Sequence, residues 1–273
     1  MRHRCPNLLA LGLAALLCGS STAWAQLSTF AVLGGSTVTN TDTPTTVNGN
    51  LGVSPGSAVT GFPPGIVTGG TIHAADAVAA QAQTELTTVY NSLANTPCDT
   101  DLTGQNLGGL TLTPGVYCFS TSAQLTGTLT LDAQGNPNAL FIFQIGSTLT
   151  TASTASVLLI NGGSDCGIYW QVGSSAILGT GTSLRGSIVA LASITLNTGA
   201  SVSGRVLARN GAVTLDNSNV DVCSGGGGPI LVEAVPTLSG WAMIVMTAFL
   251  LLSALVMMRR RAALAPVTAR STR

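Results

Sequence analysis

The sequence contains no lysine, and charged residues of any kind make up only 7% of its 273 positions. All ten basic charges are arginines, most of them crowded at the two ends. Between residues 26 and 235 all ten acids face only Arg185, Arg205 and Arg209, a net charge of −7. A nucleic-acid binder needs a basic stripe, so that class is excluded. Aromatic residues are as scarce, at 4%. Beyond the leader the one histidine is His73, and no two cysteines have CxxC spacing, so zinc and thioredoxin-like sites are excluded and no cofactor is expected. Asp99, Asp101, Asp132, Asp165, Asp216, Asp221 and Glu233 fall near turns and in the tail, not as paired carboxylates converging on a cleft. An enzyme of the glycosidase or lyase type is therefore not expected. Low charge does not mean disorder, because an apolar content of 45% is ample for a core.

What is present is a repeat. Gly181–Leu196 (GTSLRGSIVALASITL) lies over Gly199–Leu215 (GASVSGRVLARNGAVTL) at an offset of 18 that slips to 19 before the closing aliphatic-Thr-Leu. Farther upstream, Phe143-Gln144-Ile145-Gly146-Ser147 echoes Trp170-Gln171-Val172-Gly173-Ser174. Short apolar runs punctuated by Gly and Asn, at a period too short for a hairpin plus a helix, read as coils of a β-solenoid. One coil cannot bury its own inner side chains, so the pattern makes physical sense only as a stack.

The flanking segments follow in chain order. Residues 1–25 form a secretory signal: Arg2, His3 and Arg4, an apolar run from Leu8 to Cys18, and a small-x-small cleavage site at Ala23-Trp24-Ala25. Residues 27–66 read as one or two coils. Across residues 71–94 the positions Ile72, Ala75, Ala79, Ala82, Leu86, Val89 and Leu93 form one helical stripe, which places His73 on a helix as a surface or packing residue. A helix of that length measures about 36 Å, the height of about seven coils spaced about 4.8 Å apart. The 126 residues from Cys98 to Cys223 supply six to seven coils, so the helix is expected to run along the solenoid axis. Ala133–Asn138 (AQGNPN) reads as a loop bulging from the stack. Four cysteines remain after export, Cys98, Cys118, Cys166 and Cys223; of three possible pairings, proximity favours Cys98–Cys118 with Cys166–Cys223. Residues 26–223 thus form the solenoid domain and 224–234 a Gly-rich linker. Residues 235–261 hold the uncharged stretch Ala242–Met258 with Trp241 and Arg259-Arg260-Arg261 at its ends, a membrane-spanning pattern. Residues 262–273 form a cytoplasmic tail.

Thr-x-Thr pairs recur at Thr37/Thr39, Thr111/Thr113, Thr128/Thr130 and Thr148/Thr150. On a strand such residues face the same way about 6.6 Å apart, while neighbouring coils repeat at about 4.8 Å. A solenoid face can therefore carry a flat lattice of methyls and hydroxyls. Thr is stiff at χ1, so the lattice loses little entropy on meeting an ordered partner.

The helix, Phe30–Asn40 (FAVLGGSTVTN), Asp101–Leu110 (DLTGQNLGGL), Thr111–Phe119 (TLTPGVYCF) and Gly204–Val220 (GRVLARNGAVTLDNSNV) together resemble the bacterial and fungal ice-binding-like family. The resemblance implies a mainly β fold, a discontinuous β-solenoid of triangular section with one long helix alongside, and a monomer that binds the ice crystal surface through a flat Thr/Ser face. An adhesin binding extracellular glycan or protein is the alternative on the same scaffold. The family's ice-face pattern is Thr, Ala or Gly, any residue, then Thr or Asn. Thr180-Gly181-Thr182-Ser183 and Thr198-Gly199-Ala200-Ser201 follow it with Ser in fourth place, which nominates Thr180, Thr182, Thr198 and Ser201 as contacts, with Thr150 and Thr195 beside them. Val235-Pro236-Thr237-Leu238 and Trp241 resemble a C-terminal protein-sorting signal. That likeness implies an exosortase-like processing enzyme, a transient inner-membrane-anchored stage, and delivery to the cell surface.

Overall fold

The computed structural model describes residues 26–41 and 44–223. Its strands form three parallel sheets of nine, seven and eight strands, here sheets A, B and C, and each full coil contributes one strand to each sheet in turn, the coils at the two ends being incomplete. The coil Ser187–Ala190, Ile194–Leu196, Ser201–Ser203 is typical, one strand per side of a three-sided solenoid. The repeats seen in the sequence are registers in space. Phe143, Gln144 and Ile145 pair with Trp170, Gln171 and Val172. Ser183 pairs with Ser201 at an offset of 18, and Ile194 with Val213 at 19, the extra residue being absorbed at the corner between sheets A and B.

The stack is discontinuous. The first two coils do not sit at the start of the pile that follows the helix; they sit on its far end. Phe30–Gly34 pairs with Val206–Ala208, Thr37–Asn40 with Val213–Leu215, and Thr46–Asn48 with Asn219–Asp221. A second coil, Asn50–Val53, Ala58–Thr60 and Ile66–Thr68, stacks beyond the first. The helix α1, Ala77–Asn95, then carries the chain back to the opposite end, where the remaining coils begin.

Alternation of buried and open positions explains the layers. In sheet B the inward residues Ala123, Leu149, Ala176, Ile194, Val213 and Val38 are buried, and Leu129, Val157, Leu184, Val202, Val220 and Val47 do the same in sheet C. Sheet A is covered on both faces. Inside it carries an aromatic ladder, with Tyr117 and Phe143 centroids 5.5 Å apart and Phe143 and Trp170 4.0 Å apart. Outside, Phe30, Leu33, Val116, Ile142, Tyr169, Val189 and Leu207 receive the α1 stripe Ala82, Leu86, Val89 and Leu93. Each such Leu or Val is worth about 1.5–3 kcal/mol when fully buried, so α1 is held by packing, not by propensity.

The helix begins later than its apolar stripe. Ile72–Ala74 is a strand on the edge of sheet A, paired with Leu51, Gly52 and Val53. His73 therefore lies on a strand, its Nδ1 2.7 Å from Asp76 Oδ2 and its ring beside Phe30. Ala75 has a left-handed backbone (φ 53°), and Asp76 caps the first turn by accepting from the Ala79 N–H at 2.8 Å. Nineteen residues make a helix about 28 Å long, matching the six strand-to-strand steps it crosses from Ile72–Ala74 to Phe141–Ile145. At its far end Gln144 Nε2 donates to the Leu93 and Thr96 carbonyls, satisfying two of the groups a helix terminus leaves open.

Disulfides join Cys98 to Cys118 and Cys166 to Cys223. Both bonds and both apolar cores lie within residues 26–223. The membrane expectation is corrected. Among the described residues no helix is long and apolar enough to cross a membrane. The one long helix among the described residues is α1, whose polar side faces solvent and whose apolar side is taken up by sheet A. The transmembrane helix, the inner-membrane stage and processing by an exosortase-like enzyme are therefore not retained. The leader 1–25, the linker 224–234, Val235, Pro236, Thr237, Leu238 and Trp241 of the motif, the stretch Ala242–Met258 and the tail 262–273 lie outside the described residues.

Candidate binding face

With sheet A under α1, the outward faces of sheets B and C remain, and they differ in chemistry. Sheet C carries Asp132, Arg185 and Asp221 on its strands and a solvent-facing Leu158 that is 46% exposed. Arg185 pairs with Asp165 at 2.9 Å, Ser203 Oγ donates to the same carboxylate at 2.5 Å, and a groove of about 530 Å³ opens beside them. That face is charged and uneven.

Sheet B has no charged residue on any of its seven strands. One residue of each strand points outward, and the registers align these into a single row: Gln124, Thr150, Ile177, Thr195, Thr214, Thr39 and Thr60. Five of the seven are Thr, repeating at about 4.8 Å. Thr60 Oγ1 donates to Thr39 Oγ1 at 3.2 Å, so adjacent hydroxyls are held to one another. Two residues before each of these lies a small side chain, Thr37 on its strand and Thr148, Ser175 and Ser193 one residue ahead of theirs. The Thr-x-Thr pair Thr37/Thr39 thus lies on sheet B, as does Thr150 with Thr148 just ahead of its strand, whereas Thr128/Thr130 lies on sheet C.

The residues nominated from sequence divide accordingly. Thr150 and Thr195 stand in the central row. Thr180 and Thr198 are exposed at the corner where sheet B turns into sheet C, stacked on successive coils through Gly181 N donating to Thr198 O at 3.0 Å. Thr198 Oγ1 also donates to Asp216 at 2.5 Å. Ser201 opens a sheet C strand and looks across the other face. Thr182 is inside the protein, 0% exposed, and its expected surface role is corrected. The Thr-Gly-x-Ser segments are the corner itself: Gly181 and Gly199 supply the positive φ (68° and 74°) of the turn, the third residue goes inward, and the fourth starts the next sheet. Thr214, Thr39 and Thr60 were not nominated. The aligned Val-Thr-Leu carried the signal for Thr214, but placing Thr39 and Thr60 beside it requires knowing that the first coils stack on the last.

The acids serve structure. Asp99 accepts from Val116 N, and Asp101 and Asp132 accept from backbone N–H groups two residues on, as in Asx turns. Hydrogen bonds from Thr103 and from Asn161, followed by those backbone bonds, hold the Asp101 and Asp132 carboxyls below the ordinary carboxylate range. Among the described residues no group of three or more His, Cys, Asp or Glu side chains is placed to hold a metal ion.

The ice-binding-like family profile matches residues 32–221, from the first strand to the last. This chain belongs to the ice-binding-like family. An ice-binding protein of Nostoc sp. (strain HG1) is 61% identical over 194 residues, 71% of each chain. The solved ice-binding protein from an Antarctic biological consortium is 47% identical with a TM-score of 0.71, covering 74% of this chain and 90% of its own. That of the Antarctic ascomycete Antarctomyces psychrotrophicus is 35% identical with a TM-score of 0.70, covering 74% and 98%. The family is a non-catalytic, ice-binding or antifreeze-type fold, and its match stops short of the sorting-like motif at residue 235.

Proposed function

We propose that the protein binds ice through the outward face of sheet B, with Thr60, Thr39, Thr214 and Thr195 as the central contacts, Thr150 farther along the row, and Thr180 and Thr198 along one edge. The in-register threonine row carries the reading. A crystal surface offers no pocket to fill, so affinity has to come from many weak contacts made at once. That requires a face already flat and rigid. Thr has a restricted χ1, and Thr195 and Thr214 each sit between two fully buried aliphatic side chains, Ile194 with Leu196 and Val213 with Leu215, while Thr39 sits between the buried Val38 and Asn40. Each presents a methyl and a hydroxyl at a fixed repeat. The absence of charge avoids stripping a strongly hydrated ion at the crystal. Sheet C offers neither regularity nor neutrality. Two disulfides fit an oxidising, extracellular or cell-surface setting.

The test is uptake of residues 26–223 into a growing ice hemisphere. With no lysine present, an amine-reactive dye labels only the α-amine, on the sheet A side next to Leu27, away from sheet B. Uptake is expected for the unsubstituted protein and for Thr46→Tyr on sheet C. Thr214→Tyr, which raises a ring from the middle of sheet B, is expected to be excluded. Exclusion of the unsubstituted folded protein would remove the ice reading and leave a glycan- or protein-binding adhesin.

A further inference from the structure

The sheet B row is not uniform along its length. Thr195, Thr214, Thr39 and Thr60 are consecutive across four strands. Past Thr195 the run is broken by Ile177, which is 40% exposed. Ile is longer than Thr by a methyl group, so it stands above the plane its neighbours define and offers no hydroxyl. Beyond it come Thr150 and then Gln124, which is longer still.

The uninterrupted half straddles the chain's discontinuity. Thr195 and Thr214 come from the last two coils, Thr39 and Thr60 from the first two. Between them runs a junction built for close approach. Gly35 and Ser36 N–H groups both donate to Gly211 O, at 2.9 and 3.0 Å, and Thr41 N donates to Leu215 O at 2.9 Å. A Cβ on Gly35 would stand 2.4 Å from the Arg209 carbonyl oxygen, so only glycine permits the approach seen here. On the sheet C side Ser218 N donates to the buried Thr45 hydroxyl at 3.1 Å. Beneath the row, Ile194, Leu196, Val213, Leu215 and Val38 are all fully buried, which fixes the height of Thr195, Thr214 and Thr39, and Thr60 is tied to Thr39 through its hydroxyl.

We infer that the ice-contact surface is centred on this seam, so that the recognition lattice is completed only when the first coils close onto the last one. The inference rests on reading sheet B as the ice face, and it goes further: one half of the face supplies most of the binding, and a junction between two remote chain segments sets its geometry. Ile177 is then the element that limits the face, and the distal coils chiefly serve as scaffold.

Tyr substitution along the row tests this, with thermal hysteresis read at equal protein concentration and folding checked by circular dichroism. Seam variants Thr39→Tyr and Thr214→Tyr are expected to lower activity about tenfold or more, the scale of losing a central contact. The distal variant Gln124→Tyr is expected to stay within about twofold of the unsubstituted protein, as peripheral contacts do. Thr39→Ser and Thr214→Ser remove only a methyl each and are expected to lower activity without disturbing the fold; they stand in if the Tyr variants do not fold. Ile177→Thr would join Thr150 to the run and is expected to raise activity. Equal losses at both ends, or larger distal losses, would overturn the seam inference while leaving sheet B as the ice face. An inactive unsubstituted protein would overturn both.

Discussion

Replacing Thr182 with Val separates what the sequence pattern suggested from what the structure shows. The Thr182 hydroxyl ends a buried relay: Gly179 N–H donates to Thr151 Oγ1 at 2.9 Å, the Thr151 and Thr182 hydroxyls meet at 2.7 Å, and Thr182 Oγ1 donates to the Ala152 carbonyl at 3.2 Å. Val is close in shape, so no cavity opens. The loss falls on the Thr151 O–H proton, left buried without an acceptor, while the Thr151 oxygen still accepts from Gly179 N and the Ala152 carbonyl from Ala155 N. An orphaned buried hydroxyl costs about 1–3 kcal/mol. For a domain of this size each kcal/mol lowers Tm by about 2–4 °C. Thr151→Val together with Thr182→Val should destabilise by less than the sum of the single changes, since the two hydroxyls serve each other. Equilibrium urea unfolding measures the stability change, and the ice hemisphere measures function. The expected result is lower stability with full uptake once folded. Unchanged stability with lost uptake would mean that Thr182 reaches the ice, and the burial argument would fail.

Removing Cys166–Cys223, which closes 57 residues, should cost about 1 kcal/mol more than removing Cys98–Cys118, which closes 20, out of about 3–4 kcal/mol each on loop entropy; paired Cys→Ser variants in urea check the order, and the reverse order would refute it. Ice uptake should be flat between about pH 5 and pH 9, because no ionisable side chain stands on the sheet B strands; a step within that range would implicate a charged group in contact. Acid should act on stability instead. The Ala79 N–H at the helix cap and then His73 lower the Asp76 carboxyl, and Thr103 and Asn161 lower those of Asp101 and Asp132. Their contribution is fully present above the unfolded carboxylate value of about 3.9 and is lost as pH falls through the lower folded values, so Tm should decline only below that point. For Asp76→Asn that share of the acid decline should be missing.

The coil architecture was legible because each coil repeats one problem, burying alternate residues against its neighbours, and the 18-residue offset and the Phe143/Trp170 echo are direct consequences of it. Most of the α1 stripe was legible for the same reason. Its start was not: Ile72 and Ala75 continue the helical spacing, yet sheet A offers an unpaired edge at Leu51–Val53, and the cap on Asp76 stops the helix from extending back. The binding face was only half legible. Periodicity shows which threonines face outward but not which of three sides they face, and the corner segments Thr180–Ser183 and Thr198–Ser201 read as one motif while spanning two sides. Of the four seam threonines, Thr195 is nominated by the sequence, whereas the place of Thr39 and Thr60 beside it is hidden for another reason. Pairing Thr39 with Thr214 is a long-range contact between the first and last coils, and no local pattern encodes it.

The most direct measurement is the paired uptake of Thr214→Tyr and Thr46→Tyr into the ice hemisphere, each verified as folded. The two rings sit on the second-to-last and third strands of neighbouring coils, one over sheet B and one over sheet C. Exclusion of Thr214→Tyr with normal uptake of Thr46→Tyr is the expected result. Normal uptake of Thr214→Tyr, or exclusion of Thr46→Tyr alone, would contradict the assignment of sheet B.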